Sequence, residues 1–317
     1  MRLFQRTIRL LLFLTGLFAG LITAVSYFFA QRIIRPPQKK LWARPSDIGM
    51  EYEDVQFPAR DGVRISGWFI PATGGRQDGA TLIMTHGWPW NRLGTPADDP
   101  LSRMNGSNPL DLLRLAYGLH QEGFNLLMID LRNHGESAPT PPVTFGLQES
   151  NDLLGAIDYL NGRSDINNNR IGCIGFSMGA NTILYALPQT DQIKAAIAVQ
   201  PTSISIFTRR YGRDLLGPIG GIVIKLAEIM YRRQGGIPFN AVQPAFAAAA
   251  AGDVPILYIQ GDGDRWGSVA DVERMVAATP NARGPLYVNS THRYGGYQYL
   301  IDNPKIASAF FEQQLPE

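Results

Sequence analysis

The stretch Arg170-Ile171-Gly172-Cys173-Ile174-Gly175-Phe176-Ser177-Met178-Gly179-Ala180-Asn181 decides how this chain folds. Ile171 to Gly175 reads as a short buried strand and Met178 to Leu187 as a helix, so the chain reverses within a few residues. A strand-to-helix turn that sharp is tolerable only with small residues at Gly175 and Gly179, and it holds up the serine oxygen at its tip. That context favours an exposed nucleophile over an ordinary helix-capping serine.

Outward from this turn, short β-type runs alternate with longer helical ones. Strands are expected at Tyr52 to Phe57, Val63 to Ile70, Thr81 to Thr85, Phe124 to Asp130, Ile193 to Val199, Val254 to Gln260 and Pro285 to Val288. The first two flank Ala59-Arg60-Asp61-Gly62 and form an antiparallel hairpin. Helices are expected at Pro109 to Glu122, Gln148 to Leu160, Val269 to Ala278 and Tyr297 to Gln314. Strand then helix, repeated, predicts an α/β fold: a mostly parallel eight-stranded sheet with helices on both faces and function beyond the carboxyl ends of the strands. Pro201 to Gly252 is too long for a plain crossover. Its apolar stretch Leu215 to Met230 and basic edge (Arg209, Arg210, Arg213, Arg232, Arg233) suit either a lid over an acyl-binding cleft or a helix packed on the core.

Leu10 to Ala30 carries no charge and is long enough for one transmembrane helix, bracketed by Arg9 and Arg32. A signal peptide cut near Ala24-Val25-Ser26 is the competing reading; the apolar run continues past that point through Phe29, which favours a retained anchor. Bases on the two sides of the helix lean weakly toward a cytoplasmic catalytic domain. Arg35-Pro36-Pro37-Gln38-Lys39-Lys40 reads as a solvated juxtamembrane spacer, with attraction to anionic headgroups as the alternative.

Eight of the 29 bases lie in the first 44 residues, which contain no acid. The remainder holds 21 bases against 27 acids, a net of −6, so it offers no surface for phosphate neutralisation and no nucleic-acid partner is expected. The single Cys173 excludes an internal disulfide and a multi-cysteine zinc site, and the four histidines lack close ligand spacing. No metal and no organic cofactor is implied.

A serine hydroxyl needs a positioned base. His292 follows the last expected strand, and the chain order serine, acid, histidine selects it over His86 and His134, which precede Ser177, and over His120 in a helix. Gly261-Asp262-Gly263-Asp264 offers two acids after a strand, and spacing does not separate Asp262 from Asp264. The Met178 N–H at the elbow and the Trp88 N–H after His86-Gly87 are candidate oxyanion donors. Asp130 to Ser137 reads as a structural loop.

With these residues in hand, the chain from about Glu51 onward resembles the α/β-hydrolase family. The resemblance rests on Gly67-Trp68-Phe69-Ile70-Pro71, His86-Gly87, Asp130 to Ser137, Gly175 to Gly179, Gly261-Asp262-Gly263-Asp264 and His292. Within the family it resembles the membrane-anchored serine hydrolases of the BEM46 and ABHD groups. The resemblance implies Asp264 as the acid and Trp88 and Met178 as oxyanion donors, completing a Ser177, Asp264, His292 triad. The loop Gly87-Trp88-Pro89 is similar to that of epoxide hydrolases, which use an aspartate nucleophile; Ser177 favours ester, thioester or amide cleavage instead. The expected organisation is an anchor at 1–35, a linker at 36–50 and a hydrolase domain at 51–317 with a lid at about 201–252. The expected activity is hydrolysis of a carboxylic ester or thioester with an apolar, lipid-derived acyl group. A peptidase or amidase on the same fold is the second reading, and a non-catalytic membrane-tethered binding module the third.

Overall fold

The computed structural model describes residues 2–73, 79–95 and 109–316. Eight strands form one sheet: β1 (Glu53–Pro58), β2 (Arg64–Ile70), β3 (Thr81–Thr85), β4 (Asn125–Asp130), β5 (Ile171–Phe176), β6 (Ile193–Val199), β7 (Ile256–Gly261) and β8 (Ala282–Val288). Their spatial order is β1-β2-β4-β3-β5-β6-β7-β8. β2 is antiparallel to β1 and β4, and all later neighbours are parallel. β3, β4 and β5 are buried at every residue, which is why they read as unbroken apolar runs and not as alternation. Edge strand β1 keeps only Val55 and Phe57 buried.

The helices are α1 (Arg2–Ile34), α2 (Leu112–Gln121), α3 (Ser150–Asn161), α4 (Met178–Ala186), α5 (Ile204–Leu216), α6 (Gly220–Arg233), α7 (Pro244–Ala249), α8 (Val269–Ala278), α9 (Gly295–Asp302) and α10 (Pro304–Gln314). One apolar core lies under α3, α4, α5, α6 and α8, and a second on the opposite face under α2, α9 and α10. The direction in which successive strands are added reverses at β3, which has β4 on one side and β5 on the other. Such a reversal opens a crevice at the carboxyl ends, here between the His86 loop and the Ser177 turn.

Two expectations change. The single helix from Tyr297 to Gln314 is two helices, because Pro304 has no N–H to continue the first and instead starts α10. The Pro304 ring also fills the space that a Cβ on Gly118 of α2 would occupy, 2.5 Å from its Cγ. The linker is no loose spacer. Asn91 Nδ2 donates to the carbonyls of Lys39 and Lys40 at 3.2 and 3.1 Å, and Gln38 Nε2 donates to that of Ser137 at 2.8 Å.

The insertion between β6 and β7 is a helical hairpin, α5 and α6, broken at Gly217 where φ is 57°. It packs on α1, whose Ile22, Ser26, Phe29, Ala30 and Ile33 form one buried stripe at helical spacing. Residues 4–21 of α1 are exposed throughout.

At the elbow, a Cβ on Gly175 would lie 2.5 Å from the Gly179 carbonyl oxygen, and one on Gly179 would collide with the Thr85 carbonyl. Neither backbone can yield without moving a central strand. Gly179→Ala is therefore expected to destabilise the protein by about 2–3 kcal/mol, read as a lower denaturation midpoint of the full-length chain in detergent.

Candidate active site

Ser177 sits between β5 and α4 with φ 52° and ψ −110°, a conformation that favours glycine. Its N–H donates to the Val199 carbonyl at 2.9 Å, and its own carbonyl accepts the Asn181 N–H at 3.0 Å. These bonds on both sides hold the strained residue in place. Ser177 faces a pocket lined by Trp88, Phe145, Met178, Asn181, Thr202, Ile204 and Phe207, with a cavity volume of about 10 Å³. That is room for one water. The roof comes from α5, where Phe207 stacks on Tyr211 at 5.4 Å and meets Trp88 edge-on at 6.0 Å.

Trp88 and Met178 both border this pocket, and among the described residues neither N–H makes a backbone hydrogen bond. Met178 opens α4, so its N–H also stands at the positive end of the helix dipole. Asn181 Nδ2 ties the pocket wall together by donating to the Phe145 and Thr202 carbonyls at 3.1 and 2.9 Å.

The structure turns Asp264 inward and leaves Asp262 exposed. Asp264 accepts hydrogen bonds from the Trp266 and Gly267 N–H groups at 3.1 and 2.9 Å, from Gln200 Nε2 at 2.7 Å and from Arg293 Nη1 at 3.2 Å. Gln200, at the carboxyl end of β6 with φ 46°, also donates to the Arg293 carbonyl at 2.9 Å and accepts the Gly296 N–H at 2.9 Å. It thus clamps the acid loop to the loop after β8.

His292 lies in that second loop, its backbone N 2.8 Å from where a Cβ on Gly263 would be. Its main chain is therefore pressed against the acid loop, while its side chain is exposed and bonded to neither Asp264 nor Ser177. The next residue, Arg293, is the one turned in. Its guanidinium lies 4.2 Å from the Trp266 ring and 4.7 Å from the Tyr294 ring, within 5.8 Å of Phe207 in the roof. Tyr297 stacks on Phe176 at 5.8 Å, and its buried phenol lies close enough to the Ser177 hydroxyl to interact with it. Burial pushes the Tyr297 phenol above its ordinary pKa, so it stays neutral. The structure therefore gathers Ser177, Trp88 and Met178 in one pocket, sets Asp264 beside it on Arg293, and leaves the His292 ring outside. Gln200, Arg293 and Tyr297 were missed in the sequence. The only signal was a glutamine at the carboxyl end of a central strand.

The other histidines are occupied elsewhere. His86 Nε2 accepts the Leu131 N–H at 3.0 Å and its Nδ1 pairs with the Gly87 carbonyl at 2.9 Å. His134 Nδ1 pairs with the Arg132 carbonyl at 2.8 Å, and the two rings meet edge to face at 5.1 Å. Around them, Arg92 bonds Asp130 and Glu136, and Arg132 bonds Asp61 and Asp152. Ser137 Oγ donates to the Asp130 carbonyl at 2.6 Å and accepts the Ser66 N–H at 2.9 Å, so the loop after β4 is a scaffold.

The chain belongs to the α/β-hydrolase family: the family profile described as the alpha/beta hydrolase fold matches residues 81–243. It is 36% identical over 139 residues to the uncharacterized protein YfhR of Salmonella typhi, covering 43% of this chain and 41% of that one. It thus spans less than half the length of that relative. Its fold matches the Pyrococcus furiosus esterase Pf2001 with a TM-score of 0.67 at 23% identity, over 89% of this chain and 100% of the esterase. It also matches Pyrococcus horikoshii acylaminoacyl peptidase at 0.55 and 17% identity, over 84% of this chain and 42% of the peptidase.

Two outcomes follow from this geometry. Ser177→Gly relieves the positive φ, so it is expected to be more stable than Ser177→Ala by about 1 kcal/mol in denaturant titrations. Burial, reinforced by His86, holds His134 down to a pKa of about 3. The unfolded ring takes up a proton below about pH 6.5, so between these values the unfolded chain binds more protons and stability falls as pH falls. This group contributes a loss of about 2–3 kcal/mol by pH 4.5, and His134→Gln is expected to flatten that part of the stability profile.

Proposed function

We propose that the chain is a membrane-anchored serine hydrolase that cleaves a carboxylic ester or thioester with an apolar acyl group. The observation that carries this reading is Ser177 itself: a serine held at positive φ, in an apolar pocket, beside two N–H groups without backbone partners. Strain of that kind persists where the surroundings enforce it, and here it lifts the hydroxyl to where a carbonyl carbon can be attacked.

In the working enzyme Ser177 Oγ attacks the acyl carbonyl, the Trp88 and Met178 N–H groups hold the oxyanion, and His292 takes the serine proton and returns it to the leaving group. A water deprotonated by His292 then releases the acid and restores the Ser177 hydroxyl. Asp264 orients His292. For this, His292 must exchange places with Arg293, its neighbour on the 289–294 loop, so that Asp264 passes from a guanidinium to an imidazole. The exchange needs no change in the strands that carry these loops. A cavity of about 10 Å³ admits no acyl chain, so the roof must open as well, and Arg293 contacts roof residue Phe207 directly. Loop and roof therefore move with the substrate.

An anchor role for α1 is supported by its length and by the burial of Ile22 in one apolar core with the catalytic domain, since Ile22 lies before Ala24-Val25-Ser26 and a leader cut there would carry it away. A partner in the membrane, and a lipid-derived substrate, follow from that reading.

Fluorophosphonate labelling of the full-length protein tests the chemistry. Wild type is expected to label, Ser177→Ala not at all, and His292→Ala slower by about 1,000-fold. Labelling that survives Ser177→Ala contradicts the proposal by placing the reactive nucleophile elsewhere, and no labelling of a folded wild type contradicts it and favours the binding module. Faster cleavage of p-nitrophenyl esters than of aminoacyl anilides is expected; the reverse order makes the protein a peptidase or amidase.

A further inference from the structure

The apolar run of α1 and its packing do not fit a domain held clear of the membrane. From Leu10 to Leu21 the helix is exposed and uncharged, twelve residues or about 18 Å, against a hydrocarbon core of about 30 Å. Extending the span backward would bury Arg9 and Arg6, at about 2.5–3.5 kcal/mol each. Extending it forward uses Ile22 to Ala30, where Ile22, Ser26, Phe29 and Ala30 are packed against the α5–α6 hairpin while Tyr27 and Phe28 on the other face are exposed, so a full span carries the hairpin into the membrane with it.

The hairpin is built for that depth. The ends of α1 and α6 lie together: the Val143 N–H donates to the Ile33 carbonyl at 3.4 Å and the Tyr231 hydroxyl donates to the Val143 carbonyl at 2.8 Å. With both carboxyl ends adjoining, the turn before α6 points along α1 toward Ile22. That turn and the first part of α6, Leu215 to Ile224, contain no charged residue. While Val223, Ile224 and Ala227 are buried, Ile219, Ile222 and Ile229 form a second stripe that is 38%, 54% and 41% exposed. The exposed bases Arg209, Arg213, Lys225, Arg232 and Arg233 flank the apolar tip on both helices, where long side chains reach headgroups while their stems lie in hydrocarbon.

We propose that the tip of the α5–α6 hairpin is set into the bilayer leaflet beside α1, so that the pocket over Ser177 opens to the membrane interior and receives its acyl ester laterally from the leaflet. The placement rests on α1 crossing the membrane, as read above, and not on the chemistry of Ser177. It makes the substrate a bilayer-dissolved ester and the roof helix α5, which carries Ile204 and Phe207, the element that lipid displaces.

Nitroxide labels on the full-length protein in phosphatidylcholine–phosphatidylglycerol vesicles test this. Cys173 is fully buried, and Cys173→Ala leaves single cysteines at Leu17→Cys, Ile222→Cys and Arg233→Cys. The expected result is oxygen-dominated relaxation at positions 17 and 222, with a several-fold higher oxygen-to-nickel-chelate ratio than at position 233. A nickel-accessible position 222 beside a lipid-buried position 17 overturns the proposal and leaves the anchor standing. Nickel access at both removes the anchor and the proposal together. Fluorophosphonate labelling of the same samples is unaffected by either result, so a failure of the hydrolase reading stays distinguishable.

Discussion

Everything at the carboxyl edge of this sheet depends on α4 lying against β3 with nothing but hydrogen between Gly179 and the Thr85 carbonyl. That contact brings the start of α4 to the point where β4 and β5 part on either side of β3. It bends the chain so sharply that Ser177 takes a positive φ, and it brings the Trp88 and Met178 N–H groups to one pocket. The backbone bond from Ser177 to Val199 then ties the turn to β6, whose next residue is Gln200. Strain at one residue is thus carried by the four central strands, which are the most completely buried part of the molecule.

Asp264 is the second fixed point. Four donors converge on it, of which two are backbone N–H groups that cannot leave and two are side chains that can. A buried carboxylate without a partner is costly, so in the closed arrangement the Arg293 guanidinium supplies the compensating charge. In the proposed working state His292 supplies it instead. The same cation lies against Trp266 and Phe207, which couples the charge on the acid to the aromatic roof. A closed pocket and a guanidinium on Asp264 are then two aspects of one resting arrangement.

How much of this was legible in the sequence follows the range of the interactions. The turn at Ser177 is set by residues within five positions of one another, and the buried strands by continuous apolar runs, so both could be read directly. The break at Pro304 was signalled by the proline but overridden by the apolar periodicity around it. The hairpin from Ile204 to Arg233 was visible as an insertion with an apolar stretch, but the sequence did not reveal that α1 packs on it, since that contact joins segments nearly 200 residues apart. Gln200, Arg293 and Tyr297 were invisible for a related reason. Their neighbours come from three different loops, and nothing in local pattern shows which of two adjacent residues, His292 or Arg293, will face the acid. Asp262 and Asp264 were separated by the family resemblance, and the fold turns Asp264 inward because its carboxylate accepts the N–H groups of Trp266 and Gly267 just after it.

In the proposed mechanism Asp264 exchanges Arg293 for His292 when the site is engaged. The most direct measurement is an experimental structure of the full-length protein with Ser177 phosphonylated. The expected result is the His292 imidazole bonded to Asp264, its other nitrogen facing the phosphonate, and Arg293 withdrawn from the acid. A phosphonylated enzyme with Arg293 still on Asp264 and the His292 ring still in solvent would contradict it.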